Sequence, residues 1–212
     1  MANPVEGILG GFSGKVGTVV GARWKGKQVM KRKPVVSKTR KLSEAQVIQQ
    51  AKFRLANKFF KRFTRLFRVS FEDMIGQTQR GTAFRTLLTE AIVGTYPAFT
   101  VDYSKVLVAK GNLEQVVNPA VVSNAPGKLN FTWEDSSADT DADPHDVAIL
   151  IAYCEELNML IYTVNGPKRL VETADLNVPY FSGKQVQTWI AMRSADSRSA
   201  ADSIYTGAVI VS

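Results

Sequence analysis

The sequence predicts an α+β protein in three parts: a glycine-rich basic hairpin, a helical segment, and a run of antiparallel strands. Glycine recurs at Gly7, Gly10, Gly11, Gly14, Gly17, Gly21 and Gly26, a density that opposes a helix at about 1 kcal/mol per interior glycine. Apolar residues then keep a helical period between Ser43 and Val93, and alternate as in strands after Tyr96-Pro97. Charge divides along the same line. Of 27 Lys and Arg, 17 precede Ser70, where Glu6 and Glu44 are the only acids, so this stretch carries +15. The remainder, with 10 bases and 17 acids, carries −7.

The first segment, 1–42, reads as an arm with a β-hairpin. Val16–Val20 and Gln28–Met30 are joined through Arg23-Trp24-Lys25-Gly26-Lys27, with Gly26 at the turn. Pro34 closes the hairpin, and a basic, unpatterned stretch from Val35 to Lys41 follows.

The second segment, 43–97, opens on Ser43-Glu44-Ala45-Gln46, a capping box in which Ser43 caps a backbone N–H and Gln46 reaches back. A long helix starts there. Ile48, Leu55, Phe59, Phe63 and Leu66 share one face, while Arg54, Lys58, Lys61, Arg65 and Arg68 lie on the opposite one. A second helix is expected over Thr82–Val93, with Phe84, Leu87, Leu88 and Ile92 as its apolar face and Gly94 as C-cap.

The third segment, 98–212, has strands expected near Phe99–Ala109, Gln115–Val122, Leu129–Glu134, Val147–Cys154, Leu160–Val164, Leu170–Val178, Val186–Arg193 and Ile204–Val211. Asn118-Pro119, Ala125-Pro126-Gly127, Asn165-Gly166-Pro167 and Ser182-Gly183 mark turns. Short strands in succession with no helical window predict an antiparallel β-sandwich of the immunoglobulin or fibronectin-III kind, with Trp133 and Trp189 as core anchors.

Few means of catalysis are present. Cys154 is the only cysteine, which excludes an intrachain disulfide or a multi-thiolate metal site. It ends an apolar strand and is read as a half-buried structural residue. Gly14-Lys15 invites a phosphate-loop reading, but Leu9 stands where that loop needs its first glycine and Val16 where it needs a hydroxyl. No dinucleotide fingerprint follows a strand either. Ser137, His145 and Asp146 have the residue types of a hydrolase triad without a nucleophile elbow. Asp139, Asp141 and Asp143 resemble the start of a calcium loop that lacks the sixth-position glycine and has Leu150 at the twelfth. No catalytic, cofactor or metal residue is assigned, and the chain is read as not an enzyme.

The basic residues remain, and clustered cations are the main source of sequence-independent nucleic-acid affinity. The candidate polyanion-binding residues are Arg23, Trp24, Lys25, Lys27, Lys31, Arg32, Lys33, Arg54, Lys58, Lys61, Arg65 and Arg68. Trp24 between two cations is placed to stack on an exposed base. Pairing with the acidic half of a neighbouring subunit uses the same cations equally well.

The run from Gly7 through Gly-Gly-Phe-Ser-Gly-Lys-Val-Gly-Thr-Val-Val-Gly to Val29, with Ser43-Glu-Ala-Gln46 and Gln50-Ala-Lys-Phe53, resembles an uncharacterised Bacteroidota family. Gly94-Thr-Tyr-Pro97, Asp102-Tyr-Ser-Lys-Val-Leu-Val108, Leu129-Asn-Phe-Thr-Trp133 and Ile204-Tyr-Thr-Gly207 extend the resemblance over nearly the whole chain. It implies a shared architecture, a Gly-rich N-terminus with a C-terminal immunoglobulin-like domain, and no transferable active site. Glycine-plus-basic openings are also similar to those of phage-associated proteins, which implies particle assembly.

The expectation is a structural protein that forms a homo-oligomer or larger assembly, using its basic N-terminal region on nucleic acid or on acidic neighbouring subunits. The alternative is a cytoplasmic, sequence-nonspecific nucleic-acid-binding protein. The opening Met-Ala-Asn-Pro-Val-Glu lacks a basic n-region, and no apolar run is long enough to span a bilayer. The expected location is therefore cytoplasmic or particle-associated, away from membranes.

Overall fold

The computed structural model describes residues 3–4, 12–35, 41–70, 79–138, 140 and 142–212, with backbone alone at 3–4 and 79–80. The glycines from Gly7 to Gly11, together with Lys38, Arg40, Asp139 and Asp141, fall outside them. Two compact units divide the chain, Met1–Ser43 and Glu44–Ser212.

The first unit is an antiparallel sheet in sequence order: β1 (Asn3–Pro4), β2 (Phe12–Val16), β3 (Val19–Trp24) and β4 (Lys27–Arg32). Lys25 and Gly26 both adopt left-handed φ values, 48° and 80°, the pattern of a type I′ hairpin turn. The expected hairpin is thus present with Gly26 at its turn, and Trp24 pairs with Lys27. The expected Val16–Val20 strand is split. Gly17 at φ 58° turns the chain, so Val16 ends β2 and pairs across the turn with Val19 of β3. Among the described residues of this unit no hydrophobic side chain is buried. Val16, Val19, Trp24, Met30 and Val35 are all exposed.

The second unit holds the helical and β-rich segments together as one body. Helix α1 (Glu44–Ser70) begins directly after Ser43, where the capping box placed it. Helix α2 (Gln79–Thr86) is shorter than the expected Thr82–Val93 helix. It loosens into a π-type turn at Leu87–Ala91 and gives way to β5 (Ile92–Val93), which pairs with β6 (Thr100–Val101). The Ala91 carbonyl accepts from Asp102 N–H at 2.7 Å, so a neighbouring segment takes a bond that a longer helix would have used.

Among the described residues, seven strands form the sandwich. One sheet has the order β11 (Thr173–Asn177), β8 (Lys128–Glu134), β7 (Val117–Ala125). The other has the order β10 (Met159–Thr163), β9 (Val147–Cys154), β12 (Gln185–Arg193), β13 (Ile204–Ile210). All of these pairings are antiparallel. Leu129, Phe131, Trp133, Leu150, Phe181, Ile190 and Met192 fill the space between the sheets.

A second core lies on the other face of the four-stranded sheet, where α1 covers it. Ile149, Ile151, Tyr153, Trp189 and Ala191 meet Phe59, Phe60, Phe63 and Phe67 of the helix. Central strand β9 is therefore buried on both faces, which is why Val147–Tyr153 reads as one apolar run and not as an alternation. Trp133 anchors the sandwich core as expected. Trp189 does not. The pleat turns it outward from the sandwich into the core beneath the helix, while its neighbour Ile190 faces inward.

Two expected strands shorten for local reasons. Within Phe99–Ala109 only Thr100–Val101 is a strand, because Asp102 accepts from Ser104 N–H and Oγ–H at 3.2 and 2.6 Å and starts a tight turn at Tyr103–Lys105. Val106, Val108 and Ala109 are nevertheless buried against the helical layer, so the alternation signalled packing without a ladder. Within Leu170–Val178 the strand waits until Thr173, after a tight turn at Arg169–Val171.

Candidate polyanion-binding face

Helix α1 fixes the position of the cations by burying its other side. The Phe59 and Phe63 rings stack with centroids 4.3 Å apart, and Phe63 meets Trp189 edge-on at 6.2 Å. Phe59 and Phe63 both contact Tyr153 as well, at 5.3 and 5.5 Å. At the C-terminal end, Ser70 Oγ–H donates to the Val108 carbonyl at 2.7 Å and the Ser70 carbonyl accepts from Lys110 N–H at 3.0 Å. From Ala56 to Ser70 the helix is held, and its rotation about its own axis is set there.

The opposite face follows from that rotation. Arg54, Lys58, Lys61, Arg65 and Arg68 are all exposed, as the periodicity required. Arg62 is exposed too, giving α1 seven Lys and Arg against one carboxylate, Glu44. Among the described residues, no carboxylate lies within ion-pair distance of any cation on this face. The surface is not flat throughout. Lys61, Arg62 and Arg65 join Met159, Leu160 and Tyr162 of β10 around a depression of about 330 Å³. Sequence reasoning missed Arg62, whose signal was its place one turn after Lys58. It also missed Tyr162, which nothing in the sequence ties to the helix.

In the first unit the expected residues fall on both faces of the sheet. Arg23 and Arg32 share one face with Val19 and Met30 through the pairs Arg23 with Gln28, Gly21 with Met30, and Val19 with Arg32. Trp24, Lys27 and Lys31 lie on the other, with Lys15 opposite Val20. Lys25 stands in the turn, its Nζ 5.0 Å from the Trp24 ring centroid. That cation covers one side of the indole that the sequence offered for base stacking. Lys33 follows β4, its N–H donating to the Thr18 carbonyl.

The residues with catalytic types do not converge. His145 is exposed and its Nδ1 lies 3.2 Å from Asp143 Oδ1. The hydrogen bonds to Asp143 hold that carboxyl below the usual range, the largest being the one from the His145 backbone N–H. Ser137 Oγ–H donates to Asp135, and Asp146 turns inward to Arg169. Cys154 is fully buried in the sandwich core, deeper than the half-buried position expected of it. Among the described residues no group of three metal-ligating side chains gathers. Asp139 and Asp141 of the acidic run lie outside those residues.

No helix among the described residues is long and apolar enough to cross a membrane. The chain is similar to the fibronectin-III domain of the human collagen alpha-1(XX) chain, at 10% identity and a TM-score of 0.37, over 49% of this chain and 90% of that one. That likeness carries no argument, and the sandwich rests on its own strand pairings. No curated protein matches the chain. A family model described as a family of unknown function matches residues 11–207, and the chain belongs to that family, DUF6266.

Proposed function

We propose that this protein is a non-enzymatic assembly protein, particle- or virion-associated, that docks through its cations onto nucleic acid or onto the acidic surface of neighbouring subunits. The observation that carries this reading is the division of α1. One face is committed to an aromatic core, while the other holds Arg54, Lys58, Lys61, Arg62, Arg65 and Arg68 exposed, without carboxylate partners among the described residues. A face that merely kept the helix soluble would be expected to mix both signs of charge.

The first unit supports the same reading. Its sheet exposes apolar and basic side chains together and buries no hydrophobic one among its described residues. A segment with so little core gains order by covering that surface with something else. The sandwich, which we assign to the immunoglobulin and fibronectin-III-like class, supplies the outward or inter-subunit surface. The only histidine and the only cysteine are committed to Asp143 and to the sandwich core, which favours a binding role over catalysis.

The test is charge reversal of Lys58, Lys61 and Arg65 to Glu in the full chain, followed by light scattering and by ultraviolet absorbance for co-purified nucleic acid, at low and high salt. The expected outcome is a smaller, nucleic-acid-free species. Unchanged assembly and unchanged polyanion retention would refute the reading.

A further inference from the structure

We propose that the depression between α1 and β10 holds one nucleotide of a single-stranded nucleic acid, its phosphate on Lys61 and Arg65 and its base against Tyr162. The proposal rests on the reading of α1 as a polyanion-binding face, and adds to it a ligand class and a base-recognising wall.

Two chemistries meet in this one place. From the helix come Lys61, Arg62 and Arg65, two of them guanidinium groups whose planar fork matches phosphate oxygens. From the strand come Met159, Leu160 and Tyr162, an apolar and aromatic wall. Tyr162 is half-buried, packed on the core beneath α1 on one side, and its hydroxyl takes no hydrogen bond among the described residues. The cavity, about 330 Å³, is at the small end of sites that hold a compact ligand.

The wall decides between possible polyanions. An acidic protein surface would satisfy the cations but leave the open side of Tyr162 uncovered, with Leu160 and Met159 serving only the cores they pack on. In a duplex the bases are stacked on each other, so an aromatic ring at the protein surface has no base face to meet. A single strand presents both a phosphate and an open base face, and stacking on an aromatic ring is tolerant of sequence. β10 is the edge of its sheet, so the cleft is open along the strand. From Arg54 to Arg68 the cationic stripe runs about 21 Å along the helix at 1.5 Å per residue, a track long enough for several successive phosphates.

The experiment is fluorescence anisotropy of the full chain with a labelled oligothymidylate, over a salt series, alongside the matching duplex and polyglutamate. Five phosphate contacts give a slope of about −3.5 in log affinity against log salt for a single strand. Tyr162→Leu is expected to weaken the oligothymidylate roughly tenfold, with the slope and polyglutamate binding unchanged. Tyr162→Phe keeps the ring and the affinity. Ultraviolet crosslinking of a bromouracil oligonucleotide to the unsubstituted protein needs no variant, and its adduct is expected on β10. An adduct elsewhere, an unaffected Tyr162→Leu, or equal affinity for duplex or polyglutamate would overturn the nucleotide site. The paired substitution Lys61→Glu with Arg65→Glu separates the two levels: loss of all polyanion binding upholds the cationic face, and no loss overturns that face as well as the site.

Discussion

Arg169 and Asp146 face each other inside the protein, Nη2 to Oδ2 at 3.3 Å, with neither side chain reaching solvent appreciably. Arg169 also donates to the carbonyls of Gln115 and Glu114 at 3.1 and 2.6 Å, while its own carbonyl accepts from Trp133 Nε1–H at 2.8 Å. One residue thereby ties the chain before β7, the start of β9 and the indole of the sandwich core. Removing one partner of a buried pair leaves an uncompensated charge, at a cost of about 3–5 kcal/mol.

Asp146→Ala is therefore expected to lower unfolding stability by about 3 kcal/mol, whereas His145→Ala next to it changes it by less than about 0.5 kcal/mol. Urea denaturation of both variants checks this. Equal effects would mean that Asp146 has no special structural place.

Phe63 stands between Tyr153 and Trp189 and is fully buried. Phe63→Ala is expected to cost about 3–5 kcal/mol through lost burial and the cavity left behind. Trp189 fluorescence should shift toward that of an exposed indole while the sandwich core around Trp133 keeps its near-ultraviolet dichroism. A loss below 1 kcal/mol would show that the helix and sheet are loosely packed.

The same core sets a dependence on alkaline pH. Burial pushes the Tyr153 phenol up to about 12, with the Glu155 charge adding to it. Burial raises Tyr103 and Tyr205 as well. In each case the folded state holds a proton that the unfolded chain releases near pH 10, so stability is intact below about pH 10 and falls as pH rises toward 12. A spectroscopic titration should show these three phenols ionising late, together with loss of helix. Early ionisation of all six tyrosines with the fold intact would contradict the packing.

How far the sequence could be read follows from these residues. Strand positions from β7 to β13 were legible because turns and alternation are local signals, although Asn118-Pro119, expected as a turn, lies inside β7 as an irregularity in its ladder. The cationic stripe was legible because helical period alone puts Arg54, Lys58, Lys61, Arg65 and Arg68 on one side. The destination of Trp189 was not, since alternation says which residues share a face and not which of two covered faces is which. The continuous run in β9 held the clue that both faces were covered. Tyr162 beside Arg65 and Arg169 against Asp146 are meetings between segments distant in sequence, to which local pattern is blind.

The cations of α1 lower the stability of the helix that carries them, and this gives a test of why they are there. Lys61 has Lys58 three residues before it and Arg65 four residues after it, both like-charged neighbours on the helix surface. Each such pair disfavours the helix by about 0.2–0.5 kcal/mol, and an acid in the middle would reverse both signs. Lys61→Glu is therefore expected to raise unfolding stability by about 1–2 kcal/mol, most clearly at low ionic strength, where surface charges are least screened. Retention on heparin should fall in the same variant. Stability gained and polyanion affinity lost together would mark the stripe as kept for binding at the expense of the fold. A variant that loses stability would instead make Lys61 a structural residue and remove the main support for the docking face.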